Sequence, residues 1–512
     1  MVFHHSVRSA PFILQDSQMA AAASAPAPAA ADGEQSLSRK PHPNYSKCAC
    51  LLTVNVILLL PLFFSKPAVS ITTINSLPGF SGSLPFNLET GYIGVGENED
   101  VQLFYYFIES EGNPKEDPLV LWLNGGPGCS ALSGLLIEIG PIRFNVVEYN
   151  GSLPSLVQNP YSWTKVSSII FLDAPVGAGF SYSRTLQGSK TGDKSFADQC
   201  YDFLRNWLIS HPKFHTNPFY VSGDSYSGLI IPIVVQEIAD GIENGHQPSI
   251  NLKGYLLGNP VTDINLDLNS RIPYAHNMGL ISDELYESIK RTCNGEYVQV
   301  DPENLECAKD LQYFSECTKQ INHLHILEPE CILICGLLND MVNEGRYLEG
   351  NYVEALLTQT QLPEVRCRNY PDLLSNVWAN DVGVQEAIHV RLGTVRLWDR
   401  CRKGMDYIKE VLHTVEYHRN LTTRGYQALI YSGDHDMTIP ILATKSWVQS
   451  LNYSIIDDWR PWLVDGQVAG YSRVYSNGLT FASVKGAGHT APEDKPKECF
   501  AMYKRWISQE PL

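Results

Sequence analysis

Ser225 stands in a setting that suits a nucleophile, within the segment Gly223–Gly228 of sequence GDSYSG. Residues 217–222 before it have the apolar content of a short buried strand, and residues 229–238 after it have the apolar spacing of a helix. A sharp strand-to-helix turn of this kind, a nucleophile elbow, exposes its serine for attack on a carbonyl carbon. Small residues must flank that serine, because larger side chains would clash with the strained backbone. The usual pattern is G-x-S-x-G, whereas here the glycine comes one position later, so an ordinary glycine turn remains an alternative.

An elbow serine needs a histidine as general base and a carboxylate that orients the histidine, in the chain order Ser, Asp or Glu, His. The C-terminal third supplies both at the ends of predicted strands, because Asp436 follows the strand 426–431 and His489 follows the strand 479–484. Catalytic groups in open α/β sheets lie at such carboxyl ends. We therefore predict a catalytic triad of Ser225, Asp436 and His489, in which His489 takes the serine proton and Asp436 holds the imidazole.

Nearby residues compete for these two roles. Asp434 is the rival to Asp436, but an aspartate after Ser-Gly commonly bonds its own backbone, so we predict a turn-forming role for it. We prefer His489 as the base because glycines beside it let the backbone bring it close to other groups. The competing histidines are His413, His418 and His435.

A glycine-rich loop supplies the third requirement of acyl transfer, an oxyanion hole. The apolar strand 119–123 runs into residues 124–130, of sequence NGGPGCS. Backbone N–H groups at such a strand end can stabilise a developing negative charge. The predicted donors are the N–H of Gly126 and the N–H of Tyr226, the residue after the nucleophile. Glycine-rich loops also cradle phosphates, but this one lacks the lysine and serine of a P-loop, so nucleotide binding is not expected.

Alternating strands and helices must position these groups. The alternation runs from about residue 119 to 258, with a helix at 193–209, and resumes near 381 with a helix at 382–390. Between them the strand signal fades and cysteines concentrate. We predict an α/β-hydrolase fold with a mostly parallel central sheet, helices on both faces, and an inserted helical, disulfide-stapled lid that shapes the pocket and excludes water. The predicted parts are a first hydrolase section at 71–269, the lid at 270–376 and a second hydrolase section at 377–512.

Composition excludes several classes of function. With 512 residues and 44% hydrophobic content the chain can bury a large core. Its net charge of −17 makes nucleic acid an unexpected partner. No repeat of 20 to 50 residues is present. We expect neither a cofactor nor a metal.

The N-terminal part has the pattern of a secretory leader. Residues 18–36 are rich in Ala, Pro and Ser, and residues 51–64 form an apolar run that is shorter than the ~20 residues of a membrane span. Small residues at 68–70 offer a cleavage site. We predict that 1–70 comprises a disordered lead and a signal peptide, with a signal anchor as the alternative. The mature chain would have no stable membrane span and would lie in the secretory pathway, in the vacuole or outside the cell.

Entry to that pathway makes disulfides and glycosylation plausible. Five of the chain's 12 cysteines fall between 293 and 335. A zinc site is the alternative for this cluster, but the nearby histidines lack the usual ligand spacing. The candidate glycosylation acceptors, each in an N-x-S/T triplet, are Asn150, Asn420 and Asn452.

Five blocks of sequence, in order and spanning roughly residues 75 to 512, resemble the serine carboxypeptidase family, and within it the plant serine carboxypeptidase-like proteins. The blocks are 123–130, 173–182, 223–228, 431–436 and 486–489. The resemblance implies Asp436 as the triad acid. It also implies three disulfides, which pair Cys129 with Cys367, Cys293 with Cys307, and Cys317 with Cys331.

The resemblance further implies a site for the terminal carboxylate of a peptide, formed by Asn124, Gly125, Glu138 and Asp224. Two carboxyl groups held together cannot both ionise cheaply, so one of them has a raised pKa. A protonated member can donate a hydrogen bond to a carboxylate, and that capacity is lost as pH rises. Without the resemblance, Glu138 would be interpreted as a solvent-facing residue of an amphipathic helix.

The chain departs from the peptidase pattern beside the nucleophile. Peptidases of the family usually carry glutamate before the serine and alanine two positions after it, whereas Asp224 and Ser227 stand here. This resembles the plant acyltransferase branch, which takes acyl groups from 1-O-β-glucose esters. We therefore expect an acyltransferase that acts on a small-molecule acyl donor and acceptor. The alternatives are a serine carboxypeptidase that acts on peptide C-termini at acidic pH and an inactive binding glycoprotein, which has no need of an intact triad.

Overall fold

A computed structural model of the protein describes residues 73–331 and 364–512. The predicted lead, the leader and its cleavage site lie outside the described residues, as does Cys335. None of the helices in the described ranges combines the length and the apolar character that a membrane span requires.

The described residues contain sixteen strands. Twelve of them form a central sheet, and the other four form two separate two-stranded sheets. The strands in chain order are β1 (Thr73–Ile74), β2 (Leu88–Val95), β3 (Val101–Ile108), β4 (Leu119–Leu123), β5 (Ile142–Phe144), β6 (Leu156–Gln158), β7 (Ser168–Leu172), β8 (Tyr182–Ser183), β9 (Thr191–Gly192), β10 (Phe219–Asp224), β11 (Leu252–Gly258), β12 (Tyr407–Ile408), β13 (Gln427–Gly433), β14 (Ile455–Val464), β15 (Gln467–Tyr475) and β16 (Leu479–Val484).

Six of these strands form the parallel centre of the sheet, in the spatial order β7-β4-β10-β11-β13-β16. Antiparallel strands extend both edges, with β3, β2 and β1 beyond β7 and with β15 and β14 beyond β16. The central strands are apolar runs in which every residue of β4, β7 and β16 is buried, as expected of parallel strands covered on both faces. β10 lies two residues further along the chain than the predicted 217–222, because it begins at Phe219 and ends at Asp224.

Helices cover both faces of the sheet. The α-helices of the described residues are α1 (Asp193–Ser210), α2 (Ser227–Glu243), α3 (Ile264–Asn269), α4 (Arg271–Asn277), α5 (Asp283–Thr292), α6 (Leu305–Thr318), α7 (Tyr370–Ala379), α8 (Val382–Ala387), α9 (Val415–Thr423), α10 (Ile441–Ser450), α11 (Ala491–Asp494) and α12 (Pro496–Ile507). A π-helical turn covers Gly134–Glu138, and 3-10 turns cover Trp163–Lys165, Pro212–Phe214 and Ser476–Gly478. The helix predicted at 382–390 ends three residues early, at Ala387.

Alternate side chains of β4 show how the two layers are packed. Trp122 points into a core that α7 and α12 cover, whereas Leu121 points into the core that α1 and α2 cover. The predicted mostly parallel sheet with helices on both faces is therefore confirmed. A third apolar cluster joins α4 and α5 to Met437, in the loop after β13. The helical insertion thus packs directly on the loop that carries Asp436.

The disulfides correct two of the three predicted pairs. Cys293 pairs with Cys307 as expected, but Cys129 pairs with Cys401 and Cys331 pairs with Cys367. The predicted pairs Cys129–Cys367 and Cys317–Cys331 are wrong. Backbone pairing explains the first change, because Ser130 N donates to Arg400 O (2.7 Å) and Arg402 N donates to Gly128 O (3.1 Å), which brings residue 401 against residue 129. Cys317 lies exposed on α6 and has no disulfide partner among the described residues.

These pairings predict the outcome of peptide mapping without reduction. Proteolysis of the oxidised protein should yield a linked peptide that contains Cys129 and Cys401 and another that contains Cys331 and Cys367, identified by mass spectrometry. Recovery of a Cys129–Cys367 peptide instead would contradict the structure.

Candidate active site

The backbone at Ser225 has the geometry of an elbow. Ser225 follows β10 directly, precedes α2 and adopts φ = +55°, a left-handed conformation that non-glycine residues adopt at a cost. Its N–H donates to Gly258 O (2.9 Å) and its carbonyl accepts from Val261 N (2.9 Å), so the end of β11 holds the strained residue in place. The Ser227 hydroxyl donates to the carbonyl of Asp224 (2.6 Å) and closes the turn.

The three side chains predicted to form a triad are hydrogen-bonded in series. Nε2 of His489 lies 2.8 Å from Oγ of Ser225, and Nδ1 of His489 lies 2.8 Å from Oδ2 of Asp436. A carboxylate accepts but does not donate, so the proton of the neutral imidazole belongs on Nδ1. Nε2 is then free to accept the serine proton.

Asp436 is fully buried and held by four hydrogen bonds. Besides His489, its carboxylate accepts from Asn259 Nδ2 (2.8 Å), Thr438 N (2.7 Å) and Ile439 N (3.1 Å). Sequence reasoning missed Asn259. The signal was available, because Asn259 follows a central strand at the same carboxyl edge that supplied the other candidates.

Two opposing effects act on His489. Burial lowers the pKa of the imidazole, but the charge of Asp436 and the hydrogen bond to it outweigh burial and raise that pKa above its usual range. The carboxylate would therefore stabilise an imidazolium formed by uptake of a proton from the serine.

The competing residues have other partners. Oδ1 of Asp434 accepts from Gly486 N (2.7 Å) and lies 2.6 Å from Nδ1 of His435, so Asp434 joins the ends of β13 and β16. His418 is buried with Nδ1 2.8 Å from the Tyr255 hydroxyl, and burial lowers its pKa to about 3.

The glycine-rich loop lies against the elbow. A Cβ on Gly125 would lie 2.7 Å from both Ser225 Cβ and Tyr226 N, so only glycine allows this approach. Gly126 adopts φ = +116°, which also favours glycine. Within the described ranges, neither the Gly126 N–H nor the Tyr226 N–H donates to a protein acceptor. Both are therefore available to an oxyanion.

The structure brings together the four residues expected to bind a carboxylate. Asn124 Nδ2 donates to Glu138 Oε1 (2.8 Å) and to Asp224 Oδ1 (3.3 Å), and Gly125 N also donates to Asp224 Oδ1 (3.2 Å). The Asn124 amide is oriented by Trp122 Nε1, which donates to its Oδ1 (3.0 Å). Glu138 is only 6% exposed, so the interpretation as a solvent-facing helix residue is wrong.

Glu138 and Asp224 share a buried environment that favours one proton between them. Burial raises the pKa of Glu138 well above its usual range, and the charge of Asp224 raises it further. Burial also raises the pKa of Asp224, against the charge of His489 and the hydrogen bond from Gly125. Oε2 of Glu138 is buried and has no hydrogen-bond partner among the described residues. A protonated Glu138 can therefore donate to a ligand from this oxygen.

A cavity of about 190 Å³ adjoins the histidine. Thr490, next to His489, lines it. The charged residues that line the cavity comprise three bases and three acids, so the pocket suits a polar ligand without strong preference for one sign of charge. They are Arg368, Arg400, Lys403, Glu330, Asp372 and Glu493.

Comparison with known proteins agrees with this architecture. The fold is that of an α/β hydrolase. A family model described as serine carboxypeptidase matches residues 78–509, and the chain belongs to that family. Among similar relatives, "Serine carboxypeptidase-like 7" of Arabidopsis thaliana is 52% identical over 460 residues, which covers 90% of this chain and 98% of that one. "Serine carboxypeptidase-like 1" of the same plant is 53% identical over 458 residues, which covers 89% of this chain and 97% of that one.

The solved structures extend the likeness to the fold. Kex1Δp, a prohormone-processing carboxypeptidase from Saccharomyces cerevisiae, superposes with a TM-score of 0.66 at 20% identity, covering 85% of this chain and 94% of that chain. The predicted resemblance to plant serine carboxypeptidase-like proteins is thus confirmed, and the protein is a serine carboxypeptidase-like enzyme with an α/β-hydrolase fold.

Substitution of the serine and its orienting acid tests the proposed triad. Ser225→Ala should abolish labelling by a fluorophosphonate, because the reagent requires a serine activated by a neighbouring base. Asp436→Asn should slow labelling by about 10⁴-fold, because an amide favours the wrong imidazole tautomer. The exposed Ser189→Ala serves as the matched control and should be labelled at the wild-type rate. Normal labelling of the Ser225→Ala protein would refute the assignment.

The raised pKa of Glu138 predicts how stability changes with pH. The folded protein keeps a proton that the unfolded chain releases near pH 4.5, so this group's contribution to the free energy of unfolding falls as pH rises above that value. Glu138→Gln has no such proton. We expect its melting temperature to fall less than the wild type's between about pH 5 and pH 8, measured by calorimetry. The exposed Glu416→Gln is the control, and parallel curves for wild type and Glu138→Gln would contradict the prediction.

Proposed function

We propose that the protein is an acyltransferase that takes acyl groups from 1-O-β-glucose esters and passes them to an alcohol through a covalent serine ester. The series of 2.8 Å hydrogen bonds from Ser225 through His489 to Asp436 carries the covalent part of this proposal. Oγ of Ser225 attacks the ester carbonyl carbon while its proton moves to Nε2 of His489. The Gly126 and Tyr226 N–H groups receive the oxyanion.

The remaining steps release the sugar, transfer the acyl group to the acceptor and return the proton to the serine. The bond between the acyl carbon and the glucose oxygen breaks, and the sugar leaves as a free hydroxyl after His489 protonates it. The acceptor alcohol then gives its proton to Nε2 of His489 and attacks the serine ester. Collapse of that intermediate releases the new ester and restores the Ser225 hydroxyl.

The position of Asp224 supports an ester donor over a peptide. Its Oδ1 already accepts hydrogen bonds from Gly125 N (3.2 Å) and Asn124 Nδ2 (3.3 Å), which are donors that would otherwise meet a peptide carboxylate. A peptide would have to displace Asp224 or bind beside a like charge. A glucose ester carries no carboxylate at this position and avoids that cost.

Glu138 favours the second candidate, a serine carboxypeptidase. Because burial raises its pKa, a protonated Glu138 can donate from Oε2 to a terminal carboxylate under acidic conditions. That binding would weaken as pH rises through the pKa of Glu138. An inactive binding glycoprotein is disfavoured, because binding alone requires neither the hydrogen-bonded series nor the free N–H groups.

The proposed location is the secretory pathway, ending in the vacuole or outside the cell. Three disulfides support an oxidising compartment. All three candidate glycosylation acceptors, Asn150, Asn420 and Asn452, are exposed.

A paired assay tests the function. Purified protein should convert a 1-O-acylglucose and an acceptor alcohol into the new ester at mildly acidic pH, and it should release no C-terminal residue from a blocked dipeptide, both followed by chromatography. The Ser225→Ala protein serves as the blank in each arm. Dipeptide cleavage without ester formation would establish the peptidase instead.

A further inference from the structure

One short segment of the helical insertion contacts the loops that carry two members of the proposed triad, Asp436 and His489. This segment, Asn322–Glu328, is here called the brace. Its contact with the Asp436 loop consists of backbone hydrogen bonds, because the carbonyl of His323 accepts from Met437 N (2.9 Å) and Thr438 N (3.0 Å). Ile326 N donates in return to the carbonyl of His435 (3.1 Å).

The same segment holds the loop of the base. His489 N donates to the carbonyl of Leu324 at 2.6 Å. A Cβ on Gly488 would lie 2.2 Å from that carbonyl oxygen, so only glycine lets the two backbones approach so closely. The brace thus touches the backbone on both sides of the Asp436–His489 hydrogen bond.

Arg368 connects the brace to the loop of the base. Its side chain is only 10% exposed and bonds to Glu328 at the end of the brace through Nε (2.6 Å) and Nη2 (2.9 Å). Nη2 also pairs with Asp494 Oδ1. The other oxygen of Asp494 accepts from Gly488 N at 2.6 Å, one residue before His489.

The charges make arginine specifically suitable at this position. Nη1 of Arg368 also donates to Glu493 Oε2 (3.0 Å), so one guanidinium forms hydrogen bonds to three carboxylates. Its planar fork can bond to Glu328 through two atoms while facing the others, which the single ammonium group of a lysine cannot do. His325, Glu328 and Asp494 also lie close enough to suit a cation, but the guanidinium of Arg368 already bonds to both acids.

We propose that Arg368 is a positioning residue for the acyl-transfer reaction. Through Glu328 and Asp494 it fixes the brace to the backbone at Gly488, and so sets where the imidazole of His489 stands relative to the Ser225 hydroxyl. This inference rests on the proposed triad but not on the identity of the acyl donor or acceptor.

The rate of fluorophosphonate labelling of Ser225 tests the proposal, because it needs the serine and its base but no acyl acceptor. Arg368→Met should slow labelling by about 10²-fold, the loss expected from a misplacement of about 1 Å. Asp494→Asn should slow it in the same direction, since the amide replaces one of the two accepting oxygens with an NH2 donor and so loses the contact with either Gly488 N or Arg368. The double variant should lose less than the product of the single losses, because both act through one contact.

The effect of the Arg368 charge on the pKa of His489 must be separated from the effect of Arg368 on the position of the imidazole. The charge of Arg368 lowers the pKa of His489, so its loss would leave less neutral base at acidic pH. That effect disappears at pH values above the point where the labelling rate of each protein stops rising with pH, whereas a displaced imidazole stays slow there. Arg368→Lys keeps the charge and loses the fork, so it should recover only part of the rate. Full recovery by lysine, or a Met deficit that vanishes at high pH, would overturn the positioning role.

A matched control separates positioning from stability. Arg424 pairs with Asp240 (2.8 Å) on α2, and Arg424→Met should lower the melting temperature without changing the labelling rate. If Arg368→Met melts early yet is labelled at the wild-type rate well below its melting temperature, the inference fails. If Arg368→Met does not fold, Asp494→Asn decides by the same criterion.

Wild-type protein that resists labelling would overturn the triad and this inference together, whereas labelling without ester formation would overturn only the transferase.

Discussion

The arrangement of the site depends on the two hydrogen bonds of one imidazole, that of His489. His489 must meet Ser225 on one side and a fully buried Asp436 on the other, each at 2.8 Å, although the three residues come from three different strand ends. A parallel sheet satisfies this demand because the carboxyl ends of β10, β13 and β16 lie along one edge. The strained backbone at Ser225 is held by the end of β11 and by the loop after it, because Gly258 O accepts from its N–H and Val261 N donates to its carbonyl.

Burying so many charges at one edge requires each of them to be compensated. Asp436 accepts hydrogen bonds from two backbone N–H groups and from two side chains, and Arg368 bonds to three carboxylates. Removing one member of such a set leaves an unpaired buried charge, at a cost of about 3–5 kcal/mol. The pair of Glu138 and Asp224 uses another solution, because one carboxyl group keeps its proton. Positioning of the site and ionisation of its residues are therefore coupled.

Sequence patterns predict those features of the molecule that follow from the order of apolar and polar residues, namely the strands of the sheet and the candidate residues at their ends. Apolar runs such as β4 and β16 identify the sheet, and polar residues in the loops after β13 and β16 lead to the prediction of Asp436 and His489. The burial of Glu138 escapes the pattern, because a π-helical turn breaks the periodicity from which its exposure was inferred. The pairing of Cys129 with Cys401 also escapes it, since backbone pairing between distant loops sets it. The contacts of the brace with the Asp436 and His489 loops are also not predictable from residue type, because they are made by backbone carbonyl and N–H groups.

The bond between Cys129 and Cys401 ties the glycine-rich loop to the wall of the neighbouring cavity, where Cys401 and Arg400 lie. These two regions are 272 residues apart in the chain, yet they cannot drift independently while the sulfurs are joined. Reduction of this bond would therefore loosen the glycine-rich loop against the cavity wall as well as lower overall stability. An oxidising milieu, in which disulfides persist, keeps these two distant regions at a fixed separation.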